Sequence, residues 1–356
     1  MSRSLRIAAL VVSGAILLAA FALAVSGYVY SREMAIDTRR GVNEAGYVRI
    51  GGIDQWVQIR GDDRRNPVLL WLNGGPGFST ISGTRLVRDW EKRFTVVMWD
   101  QRGEGRTFLS TGAKRSAPMT IDRMTQDGIE LSEYLRRHLH KDKIILFGHS
   151  WGTVLGVGMV KRRPDLFSVY VATGQVTNEQ AMMARTYPRL LARARALGNR
   201  RAERELLAAG PPPYGDWRQS KAWLIWSNNL DPGRLEWPHT AGRPWAAVQS
   251  QFGQLLELPG EAFNVATMMP TLMSVNVPAL GSRFEAPVVF IQGTEDLDVG
   301  TDLVRAYFDG LTAPHKELVL LQGDGHLALF RDRDRFLAAL VEHVRPLAVE
   351  TDAPAD

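Results

Sequence analysis

One serine in this 356-residue chain stands where a hydroxyl can be turned into a nucleophile. Ser150 is the centre of Gly148-His149-Ser150-Trp151-Gly152, with an apolar run at 144–147 before it and an apolar stretch at 153–160 after it. The pentapeptide alone is a weak signal. Strand, tight turn and helix in that order form the elbow that presents a serine above a sheet edge. Glycine is needed at both flanks, where a Cβ would collide with neighbouring backbone. The helix that follows directs its partial positive charge at the place where an anion would develop.

A serine hydroxyl needs a base, and the base needs an acid to orient it. Seven histidines allow elimination. His138, His140 and His149 precede or adjoin the serine, and His239 falls in a helical insertion. His315 lies ahead of a strand, at the wrong sheet edge, and His343 is inside the last helix. His326 remains, in Gly323-Asp324-Gly325-His326, directly after an apolar run at 317–322. The acid belongs in the preceding loop of the same kind, Gly293-Thr294-Glu295-Asp296-Leu297-Asp298. Asp296 is the choice, with Glu295 and Asp298 left open. An oxyanion needs two backbone N–H donors. Trp151 supplies one, and Gly75 in Asn73-Gly74-Gly75-Pro76-Gly77 is placed for the other.

These loops need a scaffold that brings them to one edge. Strand-like runs at 46–50, 53–59, 68–73, 94–99, 143–147, 287–292 and 317–322 supply it. Several are continuously apolar, which suits strands buried on both faces. A helical period at 120–139 separates two of them, so the fold class is α/β with a mostly parallel sheet. Residues 176–282 read differently: helical, with Trp217, Trp223, Trp226, Trp237 and Trp245 close together and no strand-like run. That is the pattern of a cap inserted between two halves of a sheet. A basic stretch at 189–204 has helical spacing and reads as a solvated face.

Composition removes other chemistries. Hydrophobic residues make up 45% of the chain, enough for a large core, and 43 basic against 38 acidic residues is a mixed surface. No basic block interleaved with aromatics argues for nucleic acid. There is no cysteine, hence no disulfide, thiolate metal site or cysteine nucleophile. Without a His-Glu-x-x-His pair or a nucleotide-binding loop, neither a metal nor a cofactor is expected. At the N-terminus, Arg3 and Arg6 precede an uncharged run at 7–25, followed by Tyr28 and Tyr30. Its length is near the roughly 20 residues that cross a bilayer. The charge layout holds the N-terminus in the cytoplasm. An uncleaved anchor with the remainder outside is expected; a cleaved signal peptide, leaving a secreted or periplasmic chain, is the alternative. The expected organisation is anchor or signal 1–30, linker 31–45, core 46–175, cap 176–282, core 283–348 and disordered tail 349–356.

In chain order, Gly74-Gly75-Pro76-Gly77, Trp99-Asp100-Gln101-Arg102-Gly103-Glu104-Gly105-Arg106, Gly148-His149-Ser150-Trp151-Gly152, Asp296 and Gly325-His326 form a set. Over residues 46–347 the chain resembles the prolyl aminopeptidase (proline iminopeptidase) branch of the α/β-hydrolases. The resemblance implies an α/β-hydrolase fold with a helical cap and a Ser150–His326–Asp296 triad. It also implies Gly75 and Trp151 as oxyanion donors, and small peptide, amide or ester substrates cleaved through an acyl-enzyme. Two residues depart from the family pattern. Asn73 stands where a histidine usually opens the oxyanion loop. Ser227 follows Trp223-Leu224-Ile225-Trp226, where the peptidases carry a glutamate for the substrate amine. Trp223, Trp226 and Ser227 are expected to line the substrate pocket, and Glu179, Asp231 or Glu236 could supply the missing carboxylate. A carboxylesterase without aminopeptidase activity and a catalytically silent binding protein are the other readings.

Overall fold

A computed structural model describes residues 3–232 and 244–349. Glu236, Trp237 and His239 lie outside the described residues, as does the expected tail from 350 onward. The described chain builds one eight-stranded sheet in the order β1-β2-β4-β3-β5-β6-β7-β8. Strands β1 (Val42–Ile50) and β2 (Ile53–Gly61) form a hairpin, and β2 runs antiparallel to β4 (Thr95–Trp99). The other neighbours are parallel: β3 (Val68–Leu72), β5 (Ile144–His149), β6 (Phe167–Thr173), β7 (Val288–Gly293) and β8 (Lys316–Leu321). Every residue of β3 to β7 is buried, as strands covered on both faces must be.

Helices alternate with these strands. After α1 (Arg3–Glu33) come α2 (Gly105–Ser116) and α3 (Ile121–Leu139), then α4 (Trp151–Arg162) directly behind β5. Four helices separate β6 from β7: α5 (Glu179–Ala196), α6 (Arg200–Ala209), α7 (Lys221–Leu230) and α8 (Pro244–Leu272). The chain closes with α9 (Thr301–Asp309), α10 (Ala328–Arg331), α11 (Arg333–Ala339) and α12 (Arg345–Val349). One apolar cluster covers each sheet face, and a third joins α5, α6 and α7.

Strand β3 pairs with β4 on one side and β5 on the other. The winding direction reverses there, and in such sheets ligands bind outside the carboxyl ends at that switch point. The loops after β3, β5, β7 and β8 carry Gly75, Ser150, Asp296 and His326, all on that edge.

Strand β6 has no counterpart among the seven sequence-based strands; it pairs with β5 on one side and β7 on the other. Across the expected linker at 31–45, α1 runs to Glu33 and β1 begins at Val42. Between them Arg60 Nη2 donates to the Met34 carbonyl at 2.7 Å, and Arg88 donates to those of Glu33 and Ala35 at 3.2 and 3.1 Å. The segment Leu10–Glu33 of α1 has a mean hydropathy of 2.3, long and apolar enough to cross a membrane or to be a signal sequence.

Candidate active site

Ser150 is the turn between β5 and α4, and its backbone sits at φ 52°, ψ −121°. A residue with a Cβ adopts that conformation only when its surroundings enforce it. The enforcement is visible. Ser150 N donates to the Thr173 carbonyl at 3.0 Å, and the Ser150 carbonyl accepts from Thr153 N and Oγ1 at 2.8 and 2.7 Å. A Cβ on Gly148 would stand 3.0 Å from the Gly152 carbonyl oxygen, and one on Gly152 would run into the Leu72 carbonyl.

His326 follows β8. Its Nδ1 lies 3.0 Å from Asp296 Oδ2, so Nδ1–H donates to the carboxylate and Nε2 carries the free lone pair. Its backbone is fastened on both sides. The amide donates to both Asp231 oxygens at 3.0 and 2.9 Å, and the carbonyl accepts from His149 Nε2 at 3.2 Å. Burial pushes the His149 pKa down to about 3, so this ring is neutral and serves as a strut. The His326 ring lies against Gly174, where a Cβ would be 2.6 Å from Cε1. Gly174 directly follows Thr173, the residue that holds the Ser150 amide, so the end of β6 touches both the Ser150 backbone and the His326 ring.

Among the three loop acids, Asp296 is the one within hydrogen-bond distance of His326 Nδ1. It is fully buried and also accepts from Gln292 Nε2, Asp298 N and Val299 N at 2.9, 2.9 and 3.0 Å. Burial alone would raise its pKa; the His326 charge and these donors hold it below the ordinary carboxylate range. Glu295 is exposed. Asp298 lies on the other side of the ring, its Oδ2 3.7 Å from His326 Nε2, and burial raises its pKa. Burial disfavours a charged His326, but the Asp296 and Asp298 carboxylates outweigh it and raise the pKa.

Gly75 adopts φ 124°, and a Cβ there would be 2.7 Å from Gly77 N. Its loop is held from below by Glu104, a buried residue whose Oε1 accepts from Gly77 N at 3.0 Å. Glu104 Oε2 accepts from Asn73 Nδ2 at 3.0 Å and from Gln101 N at 3.1 Å. Gln101 in turn donates to Asn73 Oδ1 at 2.7 Å. Asn73, the departure from the family histidine, thus has a dedicated partner. Burial pushes Glu104 up to about 8. In the sequence Glu104 stands out only as part of a motif, because its bonds to Gly77 and Asn73 span 27 and 31 positions.

Arg102 and Asp127 support the same loops from deeper inside. They pair at 2.7 and 3.1 Å with both side chains buried, and Arg102 also donates to the Gly51 carbonyl at 2.8 Å. Asp127→Ala would strand a buried guanidinium, so it is expected to cost about 3–5 kcal/mol of stability. Denaturant unfolding monitored by tryptophan fluorescence checks this; a loss under about 1 kcal/mol would mean the pair is dispensable.

The expected pocket residues of the insertion pack among its own helices. Trp223 and Trp226 lie in the packing of α5, α6 and α7, their indole N–H groups bonded to Thr186 Oγ1 and Glu205 Oε2 at 2.8 and 2.9 Å. Ser227 is buried and donates to the Leu224 carbonyl of its own helix at 3.2 Å. Their spacing is that of a helix face turned to its neighbours. Of the candidate carboxylates, Asp231 is engaged by the His326 amide. Glu179, buried at the start of α5, is raised to about 8 by burial and by the nearby Asp298 charge. Among the described residues no group of three or more His, Cys, Asp or Glu could hold a metal ion.

The Alpha/beta hydrolase family model matches residues 69–339, which contain every residue of this site. The chain belongs to the α/β-hydrolase family. Within it, the hydrolase is 30% identical to the probable aminopeptidase YbaC of Bacillus subtilis, over 83% of this chain and 94% of that one. It is 31% identical to a probable proline iminopeptidase of Streptomyces coelicolor, over 52% of this chain and 54% of that one. The solved structure of VinJ superposes with a TM-score of 0.64 at 21% identity, covering 85% of this chain and 99% of VinJ. The hydrolase is therefore of the prolyl aminopeptidase-like kind.

Proposed function

We propose that this protein is a serine hydrolase that cleaves small peptide, amide or ester substrates, with N-terminal residues of short peptides as the favoured class. His326 Nε2 takes the Ser150 proton as Oγ attacks the carbonyl carbon. Asp296 holds Nδ1–H and stabilises the imidazolium, and the Gly75 and Trp151 amides receive the oxyanion. Among the described residues neither amide has a hydrogen-bond acceptor. Collapse of the tetrahedral species expels the leaving group, which takes the proton from His326; water then releases the acyl group from Ser150 by the same steps. The observation that carries this reading is the 3.0 Å bond from His326 to Asp296 on the sheet edge where Ser150 is held in a strained elbow. The four helices between β6 and β7 serve as the cap, and α1 as a single-pass anchor that leaves the catalytic part outside the cytoplasm. A fluorophosphonate probe tests the core of the proposal. Labelling of the native chain and none of Ser150→Ala is expected; equal labelling of both, or of neither, would overturn it.

Glu179 and Asp298 support the aminopeptidase class. Burial raises the pKa of both acids, the Asp298 charge raises that of Glu179 further, and an ammonium group beside them favours their ionised forms. Glu179→Gln is expected to raise KM for a prolyl anilide at least about tenfold, the loss of one charge-assisted hydrogen bond. Turnover of a p-nitrophenyl ester is expected to stay within a factor of about two, since an ester without an amine makes no such bond. Parallel loss on both substrates would assign Glu179 a structural role. Ser227 favours a second reading, a carboxylesterase without aminopeptidase activity, which is the outcome if the anilide is not cleaved at all.

The charges around His326 also set a pH profile. Activity needs the neutral ring, so kcat/KM rises with pH through the His326 pKa. Carboxylates raise that pKa, so the acid limb is expected above the ordinary imidazole value of about 6.5. Asp298→Asn removes a neighbouring anion and is expected to move the limb to lower pH; a limb that does not move would exclude Asp298 from the field at His326.

A further inference from the structure

The free part of α1 is shorter than a bilayer. The apolar run begins at Ile7, and the described side chains up to Ala22 are all exposed; 7–22 is 16 residues. At about 1.5 Å per residue that reaches about 24 Å, whereas the hydrocarbon core is about 30 Å thick and takes about 20 residues. Tilting the helix only lengthens the deficit. The next turns are not free. Leu23, Ser26, Gly27 and Tyr30 recur at helical spacing and are half-buried, Met34 ends the stripe fully buried, and α1 packs along α8. The missing length, about four residues, has to come from this packed section, which brings the neighbouring body with it.

The junction does not let the body swing away. Arg60 and Arg88 grip the carbonyls of Met34, Glu33 and Ala35, and Arg85 pairs with Glu33 at 3.2 Å. What flanks the helix suits a lipid surface. Leu255 and Leu258 on α8 are 62% and 51% exposed, and Phe78 is 52% exposed. Phe78 adjoins Gly77, whose position abuts Glu261 and Asn264 of α8. A single exposed leucine means nothing. Three large apolar side chains stand exposed on α8, which packs against α1, and on the loop that abuts α8. Tyr28, 65% exposed, and Arg32, also exposed, stand at the same end of α1, the residue types that favour the head-group layer.

We propose that α8 and Phe78 rest in the head-group layer of the membrane that α1 crosses, so that the side of the active site bounded by the Gly74–Gly77 loop faces the lipid. The proposal rests on the reading of α1 as an anchor. Because the native chain has no cysteine, single cysteines report position without interference. The full-length protein is reconstituted in phosphatidylcholine–phosphatidylglycerol vesicles with Leu17→Cys, Phe78→Cys, Leu255→Cys, Leu258→Cys or Leu207→Cys, each carrying an environment-sensitive fluorophore. Lipids spin-labelled at the head group or deep in the acyl chain are the quenchers. Deep quenching is expected at Leu17. Head-group quenching is expected at Phe78, Leu255 and Leu258, severalfold above that at Leu207 on α6. Deep quenching at Leu17, with the α8 sites no more quenched than Leu207, would overturn the proposal and leave the anchor standing. No quenching at Leu17 would overturn both. Catalysis is not read, so the outcome is independent of the hydrolase mechanism.

Discussion

Ser150→Ala is expected to lower kcat by about 10⁴-fold or more, with KM and the unfolding midpoint nearly unchanged. The kinetic loss follows because no other group in the site can form the acyl intermediate, and residual rate comes only from binding and the oxyanion donors. The small stability effect follows from the surroundings. Among the described residues the Ser150 hydroxyl has no hydrogen-bond partner, so removing it strands nothing. Alanine keeps a Cβ at φ 52°, so the strain of the elbow also remains. Ser150→Gly separates the two contributions: it removes the nucleophile equally and relieves backbone strain of about 1–3 kcal/mol, less the entropy cost of glycine, about 0.5–1 kcal/mol. A glycine variant less stable than the alanine variant would contradict the strained geometry. An alanine variant with turnover within tenfold of the native would remove Ser150 from the mechanism.

Asp296→Asn is expected to have the second largest effect, about 10⁴-fold on kcat. The carboxylate does two things here. It accepts Nδ1–H, which leaves Nε2 unprotonated toward the serine, and its charge favours the imidazolium that forms as the proton moves. Asparagine keeps the size but offers an amide that can donate to Nδ1 and fix the wrong tautomer. The variant also loses the acceptor strength met by Gln292, Asp298 N and Val299 N, so some stability is lost as well. Loss of the anion lowers the His326 pKa, so the residual activity keeps its acid limb at lower pH than the native enzyme. A loss of kcat below about tenfold would transfer the orienting role to Asp298.

The site residues were legible where function imposes a local pattern. Ser150 is framed by glycines because the turn has no room, and His326 follows a strand at the matching edge, so chain order and elimination pointed to these two, while the loop after β7 offered Glu295, Asp296 and Asp298 alike. The remainder depends on partners that no spacing reveals. Strand β6 becomes an inner strand by pairing with β7, built from residues 288–293, on the side away from β5. Asn73 and Glu104 compensate one another across 31 positions. Trp223 and Trp226 bond to Thr186 of α5 and Glu205 of α6, partners that their spacing on α7 does not name. The segment joining α1 to the sheet carries charge and no period, and it is ordered by Arg60 and Arg88 from elsewhere in the chain.

Leu297 sits between Asp296 and Asp298, and its side chain is packed inside the cluster of α5, α6 and α7. The end of α7 contributes Asp231, which holds the His326 amide. The helical insertion is therefore pinned to both the acid loop and the base loop, much as a roof beam is tied into the wall it covers. Lifting those helices to admit substrate would pull on the residues that hold the imidazole in place. Traffic into the site then has to pass beside this part of the roof rather than beneath a raised one, so crosslinking α7 to the Asp296 loop should leave turnover intact.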